Sequence, residues 1–214
     1  MNVFLKQEIA NKYDDYYQTE FGKKVDHIEK EIITELLCKI HSDNKLLDIG
    51  CGTGHWTEFF INRGYKVTGV DSSEEMLKIA KGKNLDAEFI LGNSGNLQIE
   101  DESYSIIITI TMLEFVGNQE ISIQEMYRIL KKGGWLIVGG LYADSTLGLN
   151  KENDEVFKDA NLYNKKDLKS KFSQFKILQH EEGVYLNDKF EFINSTSDSI
   201  NTSPLFFGLL LQKS

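Results

Sequence analysis

The apolar residues of this chain follow two alternating patterns. Five stretches are short, continuous apolar runs: "KLLDI", "YKVTGV", "AEFIL", "YSIIITI" and "GWLIVGGL". Between them, segments such as "SSEEMLKIAK" and "QEISIQEMYRILK" carry apolar residues three and four positions apart, which is the helical period. Strands without polar alternation are typical of a sheet covered by helices on both faces, and strands that alternate with helices predict a parallel sheet.

The two ends of the chain depart from this alternation. Near the N-terminus, "IEKEIITELLCKI" predicts an amphipathic helix. After Leu141 a long polar stretch precedes "FKILQHEEGVYL" and "PLFFGLLLQKS", which we predict as an antiparallel pair of strands. The predicted fold is therefore α/β, a doubly wound, mostly parallel sheet of seven strands that ends in an antiparallel pair. Nothing in the sequence marks a domain boundary, so we predict a single domain over residues 1–214.

Composition and charge narrow the class of protein. The 214 residues are 41% hydrophobic and 27% charged, as in an ordinary globular protein, and the net charge of −9 disfavours nucleic acid as a partner. The longest apolar runs are too short to span a membrane. The two cysteines, Cys38 and Cys51, make a disulfide framework improbable and suit a reducing cytoplasm, which is the location we expect. The histidines have no partners at metal-ligand spacing, so no metal site is predicted.

The stretch "KLLDIGCGTGHWTEFF" suggests a binding site. It predicts a strand, a turn containing Gly50, Gly52 and Gly54, and a helix, and glycines in such a turn let a ligand approach the backbone. The next strand ends in Asp71, where an acid can accept both hydroxyls of a ribose. His55 stands where a dinucleotide fingerprint has its third glycine, and the loop lacks the Gly-Lys-Ser/Thr of a phosphate loop. These features favour a nucleoside without a phosphate chain.

With these motifs the chain resembles the class I S-adenosylmethionine-dependent methyltransferases over nearly its whole length. "LLDIGCGTG", "VTGVDSSEEML", "FILGNSGNLQIEDESYSIIITITMLEFV" and "EMYRILKKGGWLIVGG" resemble the motifs of that family in order and at ordinary spacing. The likeness is greatest to the type 11 group, which includes enzymes of ubiquinone and menaquinone biosynthesis. It implies a Rossmann-like fold, S-adenosyl-L-methionine as methyl donor and S-adenosyl-L-homocysteine as product. The chain departs from the family pattern in having Asn93 for aspartate, Lys132 for proline and Ser105 for aspartate.

The resemblance also implies roles for particular residues. It divides the chain into an N-terminal helical lid (1–40), a cofactor-binding core (41–141) and a substrate loop with C-terminal strands (142–214). Asp71 would hold the ribose, and Ser72 and Met76 would flank the adenine. The full set of implied cofactor-binding residues is Asp48, Gly50, Cys51, Gly52, Thr53, Gly54, Asp71, Ser72, Met76, Asn93, Ser94 and Thr111.

A second group of residues is expected around the methyl acceptor. Met112 and Phe115 follow the fourth strand and would line the pocket, and Glu114 is the candidate catalytic residue, with an exposed or helix-capping carboxylate as the alternative. The family resemblance further suggests an aromatic lid, with Gly22 as its hinge. Plain packing of one helix face is the alternative for these aromatic residues. The lid residues are Tyr13, Tyr16, Tyr17 and Phe21.

The expected reaction is in-line attack of an acceptor on the sulfonium methyl group. No Asn/Asp-Pro-Pro-Tyr/Phe motif follows the fourth strand, and no Pro-Cys pair is present, so methylation of adenine, glutamine or cytosine C5 is disfavoured. A small molecule is the first choice of acceptor and a protein side chain the second. A catalytically silent S-adenosylmethionine-binding protein is a further alternative. The sequence leaves open the acceptor, the atom methylated, the need for a general base and the oligomeric state.

Overall fold

A single seven-stranded sheet organises the chain. The computed structural model describes residues 3–194 and 203–214. The strand order is β3-β2-β1-β4-β5-β7-β6, with parallel pairing from β3 to β5 and β7 antiparallel to both of its neighbours. This confirms the predicted sheet and its antiparallel C-terminal pair. The strands are β1 Lys45–Ile49, β2 Lys66–Asp71, β3 Ala87–Leu91, β4 Tyr104–Ile110, β5 Leu130–Leu141, β6 Phe175–Gly183 and β7 Phe206–Lys213.

Helices precede the sheet and connect its strands, and several begin at side-chain caps. The Thr19 side chain accepts a hydrogen bond from the backbone of α2, Ser73 does so for α4, and Asn118 does so for α5. Such caps satisfy amide groups that have no partner within the helix. The helices are α1 Gln7–Tyr16, α2 Glu20–Leu37, α3 His55–Ile61, α4 Glu74–Gly82, α5 Gln119–Ile129, α6 Thr146–Asn150 and α7 Leu168–Lys171.

The hydrophobic core lies on both faces of the sheet. Leu46 and Leu47 are neighbours in β1, are fully buried, and belong to different clusters because successive side chains of a strand point to opposite faces. Met126 of α5 packs in one cluster, and Ile33 of α2 and Phe60 of α3 pack in the other. The continuous apolar runs of the sequence are explained by this two-sided cover.

The order in which the chain places its strands in the sheet reverses at β1. From β1 the sheet grows outward through β2 and β3, and the chain then returns to place β4 and β5 on the other side. The parallel strands β1, β2, β4 and β5 all end at one edge, called here the carboxyl edge. Ligands of open α/β sheets bind at such a reversal point, outside the carboxyl ends of the strands. Within the described ranges, no helix combines the length and apolar character that a membrane crossing requires.

Candidate active site at the carboxyl edge

The glycine loop, residues 50–54, lies directly after β1. Gly50, Gly52 and Gly54 all have positive φ, at 83°, 54° and 81°, which other residues adopt only with strain. A Cβ atom on Gly50 would lie 2.1 Å from the Cγ of Met112, so that glycine is required by packing. A Cβ atom on Gly52 would meet nothing within 4 Å. Gly52 thus leaves open backbone that a ligand can approach.

Asp71, at the end of β2, fixes the loop from the side. Its Oδ2 accepts a hydrogen bond from the Gly52 amide (2.9 Å), and its Oδ1 accepts one from the Ser73 amide (2.8 Å). Burial raises the pKa of this carboxyl, and the backbone hydrogen bonds oppose that rise. A carboxylate has about four acceptor positions, so both oxygens can accept further hydrogen bonds from a diol.

Asp48 is buried beneath the same loop. Its Oδ2 accepts a 2.6 Å hydrogen bond from the hydroxyl of Thr57, which ties the end of β1 to α3. Burial raises its pKa to about 7, partly offset by the Thr57 hydrogen bond, and Asp71 adds a further rise. A bound cation would favour the ionised form of this carboxyl. Cys51 is also buried, and both cysteines are free thiols.

Thr111, the residue after β4, has strained backbone. Its φ is +45°, an uncommon value for a β-branched side chain. The Thr111 amide donates to the carbonyl of Gly139 at 2.9 Å, which holds the chain as it turns off the sheet. Strain of this kind is concentrated at active sites and ligand clamps. The residues that follow, Met112 and Phe115, are half-buried at the same edge.

The expected adenine side lies around the ends of β2 and β3. Met76 of α4 is buried and Ser72 is exposed. The Oδ1 of Asn93 accepts a hydrogen bond from the Gly95 amide (2.9 Å), and the hydroxyl of Ser94 is hydrogen-bonded to that of Ser122 (2.8 Å). The Asn93 oxygen retains a second lone pair with which it could accept from an adenine amino group.

The N-terminal helix α1 lies across the carboxyl edge. The hydroxyl of Thr53 donates to the Oδ1 of Asp14 (2.6 Å), and the other carboxylate oxygen of Asp14 pairs with Lys83 (2.6 Å). The hydroxyl of Ser73 donates to the carbonyl of Phe4 (2.8 Å), just before α1. The ring of Phe4 in turn packs edge-on against Phe115, with centroids 4.7 Å apart. The segment is therefore fastened to the glycine loop, to the start of α4 and to the residues after β4.

The aromatic residues of this region fall into two groups. Tyr17 stacks on His55 with centroids 3.6 Å apart, and its hydroxyl is 3.3 Å from that of Tyr13. Tyr16 contacts the Tyr17 ring edge-on and is itself 41% exposed. Phe21 lies apart and packs against Phe192. Three of the four predicted lid aromatics are thus brought together, and the fourth is not.

The expected hinge at Gly22 was wrong. Gly22 lies in the first turn of α2, where a Cβ atom would be 2.0 Å from the Tyr16 carbonyl oxygen. The break between α1 and α2 is at residues 17–19. Gly22 therefore allows close packing of the two helices, and the change of direction occurs before it.

Glu114 is completely buried, so an exposed carboxylate, the alternative considered from the sequence, was wrong. Its Oε1 accepts a hydrogen bond from the Leu141 amide at the end of β5 (2.8 Å). Its Oε2 has no hydrogen-bond partner among the described residues. Burial raises the pKa of Glu114 to about 7, and two backbone hydrogen bonds limit the rise.

Two further polar side chains near this edge escaped the sequence analysis. Glu29 lies on the apolar face of α2 with Val25 and Ile33, and an acid within such a stripe is a signal that could have found it. Burial, then Asp26 and then Glu114 raise the pKa of Glu29 to about 8. Tyr163 is fully buried, and its hydroxyl also lacks a hydrogen-bond partner within the described part of the chain. Nothing in the local sequence distinguishes Tyr163 from the other tyrosines.

The chain is similar to known methyltransferases in sequence and in structure. Residues 47–138 match the model of the type 11 methyltransferase domain family. A demethylmenaquinone methyltransferase of Thermotoga maritima is 30% identical, with 66% of this chain and 62% of that enzyme aligned. A solved structure from the same organism, described as an S-adenosylmethionine-dependent methyltransferase and possible histamine N-methyltransferase, is 25% identical with a TM-score of 0.74 over 98% of both chains.

The extent of these matches differs between relatives. An uncharacterised protein of Methanocaldococcus jannaschii is 33% identical over 172 residues, which are 78% of this chain and 77% of that protein. The chain spans only 41% to 62% of the curated methyltransferases it matches. The family-model match, residues 47–138, contains the glycine loop and the whole of β2, β3 and β4. Residues 47–138 of this chain therefore carry a type 11 methyltransferase domain, and the chain as a whole has the fold of an S-adenosylmethionine-dependent methyltransferase.

Proposed function

We propose that this chain transfers the methyl group of S-adenosylmethionine to a small molecule bound at the carboxyl edge. The acceptor would lie between α1, the segment 111–115 and the segment 142–150. Pockets for small ligands combine apolar and aromatic walls with a few polar groups, and these three segments supply that mixture. The relatives named for quinone biosynthesis are consistent with a small acceptor.

The residues at this edge fit the methyl donor. Gly52 leaves backbone open to a ligand, Asp71 retains acceptor capacity for two ribose hydroxyls, and Asp48 is a buried acid whose ionisation a neighbouring cation would favour. S-adenosylmethionine supplies a methyl group that its sulfonium already activates. The protein's own contribution is then to align the acceptor and exclude water.

The position of α1 is the observation that favours a small acceptor. The hydrogen bonds and the ion pair made by Asp14 and Phe4 hold α1 over the carboxyl edge. A protein or nucleic-acid substrate would therefore have to displace the helix. A small molecule needs only transient opening, as in enzymes with mobile lids. The net charge of −9 adds an unfavourable interaction with nucleic-acid phosphates.

Incubation with methyl-labelled S-adenosylmethionine and an extract of the source cells tests this proposal. The products are divided into small-molecule, protein and nucleic-acid fractions, and Asp71→Ala serves as the variant with impaired donor binding. We expect label in the small-molecule fraction with the unaltered chain and far less with Asp71→Ala. Label confined to protein or nucleic acid would contradict the small acceptor. Donor binding without any transfer would instead indicate the catalytically silent alternative.

A further inference from the structure

Glu114 and Tyr163 meet at Leu141, the last residue of β5. The Leu141 amide donates to the Oε1 of Glu114 at 2.8 Å, and its carbonyl accepts from the Tyr163 amide at 2.9 Å. Both side chains are fully buried. The Oε2 of Glu114 and the hydroxyl of Tyr163 are two of only three buried side-chain polar atoms that lack a hydrogen-bond partner in the described ranges. Native proteins rarely leave such atoms unsatisfied without a functional reason.

A second buried carboxylate approaches the same region from α2. Asp26, one turn before Glu29, is 2.7 Å from His55, which places this part of α2 beside the glycine loop and the carboxyl edge. Glu29 is 7% exposed, and Glu114 is among the charges that raise its pKa. Lys30 lowers the pKa of Glu29 somewhat, but its ammonium is itself bonded to Asp26 (2.7 Å) and His55 (3.0 Å).

No described lysine, arginine or histidine forms an ion pair with Glu29 or Glu114. A buried carboxylate without a cation is costly, and two that repel each other are more so. A ligand that brings a positive charge and several N–H donors would remove this cost. It could donate to the Oε2 of Glu114 and to the Tyr163 oxygen, which both accept hydrogen bonds.

We propose that Glu29, Glu114 and Tyr163 form the acceptor subsite, and that the acceptor is a small molecule carrying a primary or secondary amine. This inference rests on the proposed function and names the chemical class of its substrate. The aromatic rings of Tyr13 and Tyr17, on the α1 side of the edge, suit the same ligand because aromatic faces attract cations.

Glu114 would also receive the proton that methylation of an amine requires to leave. The bound ammonium first gives a proton to the Glu114 carboxylate and becomes a neutral amine. Its nitrogen lone pair then forms the bond to the methyl carbon, while the carbon–sulfur bond breaks and its electron pair stays on sulfur. The nitrogen carries the resulting positive charge, the sulfur becomes neutral, and Glu114 later returns its proton to water.

The test separates a metabolite extract of the source cells on a cation exchanger into a retained pool, which contains the amines, and a flow-through pool. Each pool is incubated with methyl-labelled S-adenosylmethionine and the protein. We expect labelled product from the retained pool. Label only from the flow-through pool would overturn the amine acceptor and leave the proposed function intact, whereas label from neither pool would contradict both.

Variants then assign the role of the subsite. Glu114→Gln is expected to lower labelling by about 100-fold or more, the usual contribution of a general base, with donor affinity unchanged. The exposed Glu120, six residues later, provides the control Glu120→Gln, which should label normally. At saturating S-adenosylmethionine, where the ionisation of Asp48 no longer limits donor binding, the labelling rate should rise with pH through about 7, the pKa of Glu114, and this rise should be absent in Glu114→Gln. An unchanged pH profile in that variant would overturn its role.

Tyr163→Phe provides a second variant that keeps the ring in the core. Because the buried hydroxyl has no partner within the described residues, its removal should leave the thermal midpoint unchanged or raise it. We expect the retained pool to be labelled with a higher KM and nearly the same kcat, since one hydrogen bond to the acceptor is lost. An unaltered KM would show that Tyr163 does not belong to the acceptor subsite.

Discussion

The hydroxyl of Thr53 in the glycine loop donates a 2.6 Å hydrogen bond to Asp14 of α1. The Thr53 side chain is fully buried, and Asp14 is also paired with Lys83 beyond the end of α4. The helix that covers the carboxyl edge is thus bonded to the loop expected to hold the methyl donor. Movement of α1 away from the loop would break the hydrogen bond and the ion pair of this carboxylate.

Replacement of Asp14 should loosen α1. Asp14→Ala removes both contacts, and we expect the amides of α1 to exchange with solvent roughly tenfold faster, because segments that open locally are held by few contacts. Hydrogen exchange followed by mass spectrometry measures this directly. Addition of S-adenosylmethionine should slow exchange over the same residues in the unaltered chain.

Asp15 offers a matched control for this experiment. It is the next residue of α1 and is exposed, so Asp15→Ala should leave the exchange of α1 unchanged. Equal exchange in both variants, or no protection by the donor, would contradict the lid. It would favour the alternative considered from the sequence, in which the N-terminal aromatic residues only pack on one helix face.

Gly52 and Gly64 provide a second variant and its matched control. Both have positive φ, at 54° and 87°, and a Cβ atom on either would meet nothing within 4 Å. Each change to alanine should therefore cost about 1–2 kcal/mol of stability through backbone strain. Only Gly52→Ala should also weaken S-adenosylmethionine binding, as measured by calorimetry, because only Gly52 lies in the loop expected to hold the donor. Equal donor affinity in the two variants would show that the ligand does not approach Gly52.

Glu29, the buried acid of α2, should make the free energy of unfolding depend on pH. The pKa of Glu29 is raised from 4.5 to about 8 by burial, and the charges of Asp26 and Glu114 add to the rise. The folded chain then holds a proton that the unfolded chain releases in this window, so the free energy of unfolding falls as pH rises from 4.5 to 8. Glu29→Gln should reduce this fall by about 1–3 kcal/mol in denaturant titrations without ligand.

Glu35 lies on the same helix and is exposed, so Glu35→Gln should retain the full pH dependence. The comparison cancels the opposing effect of His180, whose pKa is lowered mainly by burial. A Glu29→Gln curve that parallels the unaltered one would show that Glu29 is already ionised in the folded chain.

The sheet could be predicted because its strands are continuous apolar runs separated by clear helical periods. The placement of Asp71 beside the glycine loop also followed from parallel strands that end at one edge. The bond between Thr53 and Asp14 joins residues 39 positions apart, and no local pattern reports such a contact. Gly22 was misread as a hinge because glycine serves close packing as well as flexibility. The burial of Glu114 depends on Leu141 and on residues 161–163, which are far from it in the sequence.

Asp71 should account for much of the donor affinity. Asp71→Ala removes the acceptor of the Gly52 and Ser73 amides as well as the expected partner of the ribose hydroxyls. We expect a loss of about 1–3 kcal/mol in binding, the usual cost of unpaired buried groups. The exposed Asp86 gives the control Asp86→Ala, which should bind normally. Unchanged affinity in Asp71→Ala would place the ribose elsewhere.

Calorimetric titration of the unaltered chain with four adenosine-containing ligands tests the central claim most directly. The carboxyl edge has Asp71 as its expected ribose acceptor and no phosphate-binding lysine in its glycine loop. We therefore expect S-adenosylmethionine and S-adenosylhomocysteine to bind at least about 100-fold more tightly than NAD or ATP, a difference of about 2.7 kcal/mol. Binding of NAD or ATP as tight as that of S-adenosylmethionine would contradict the account.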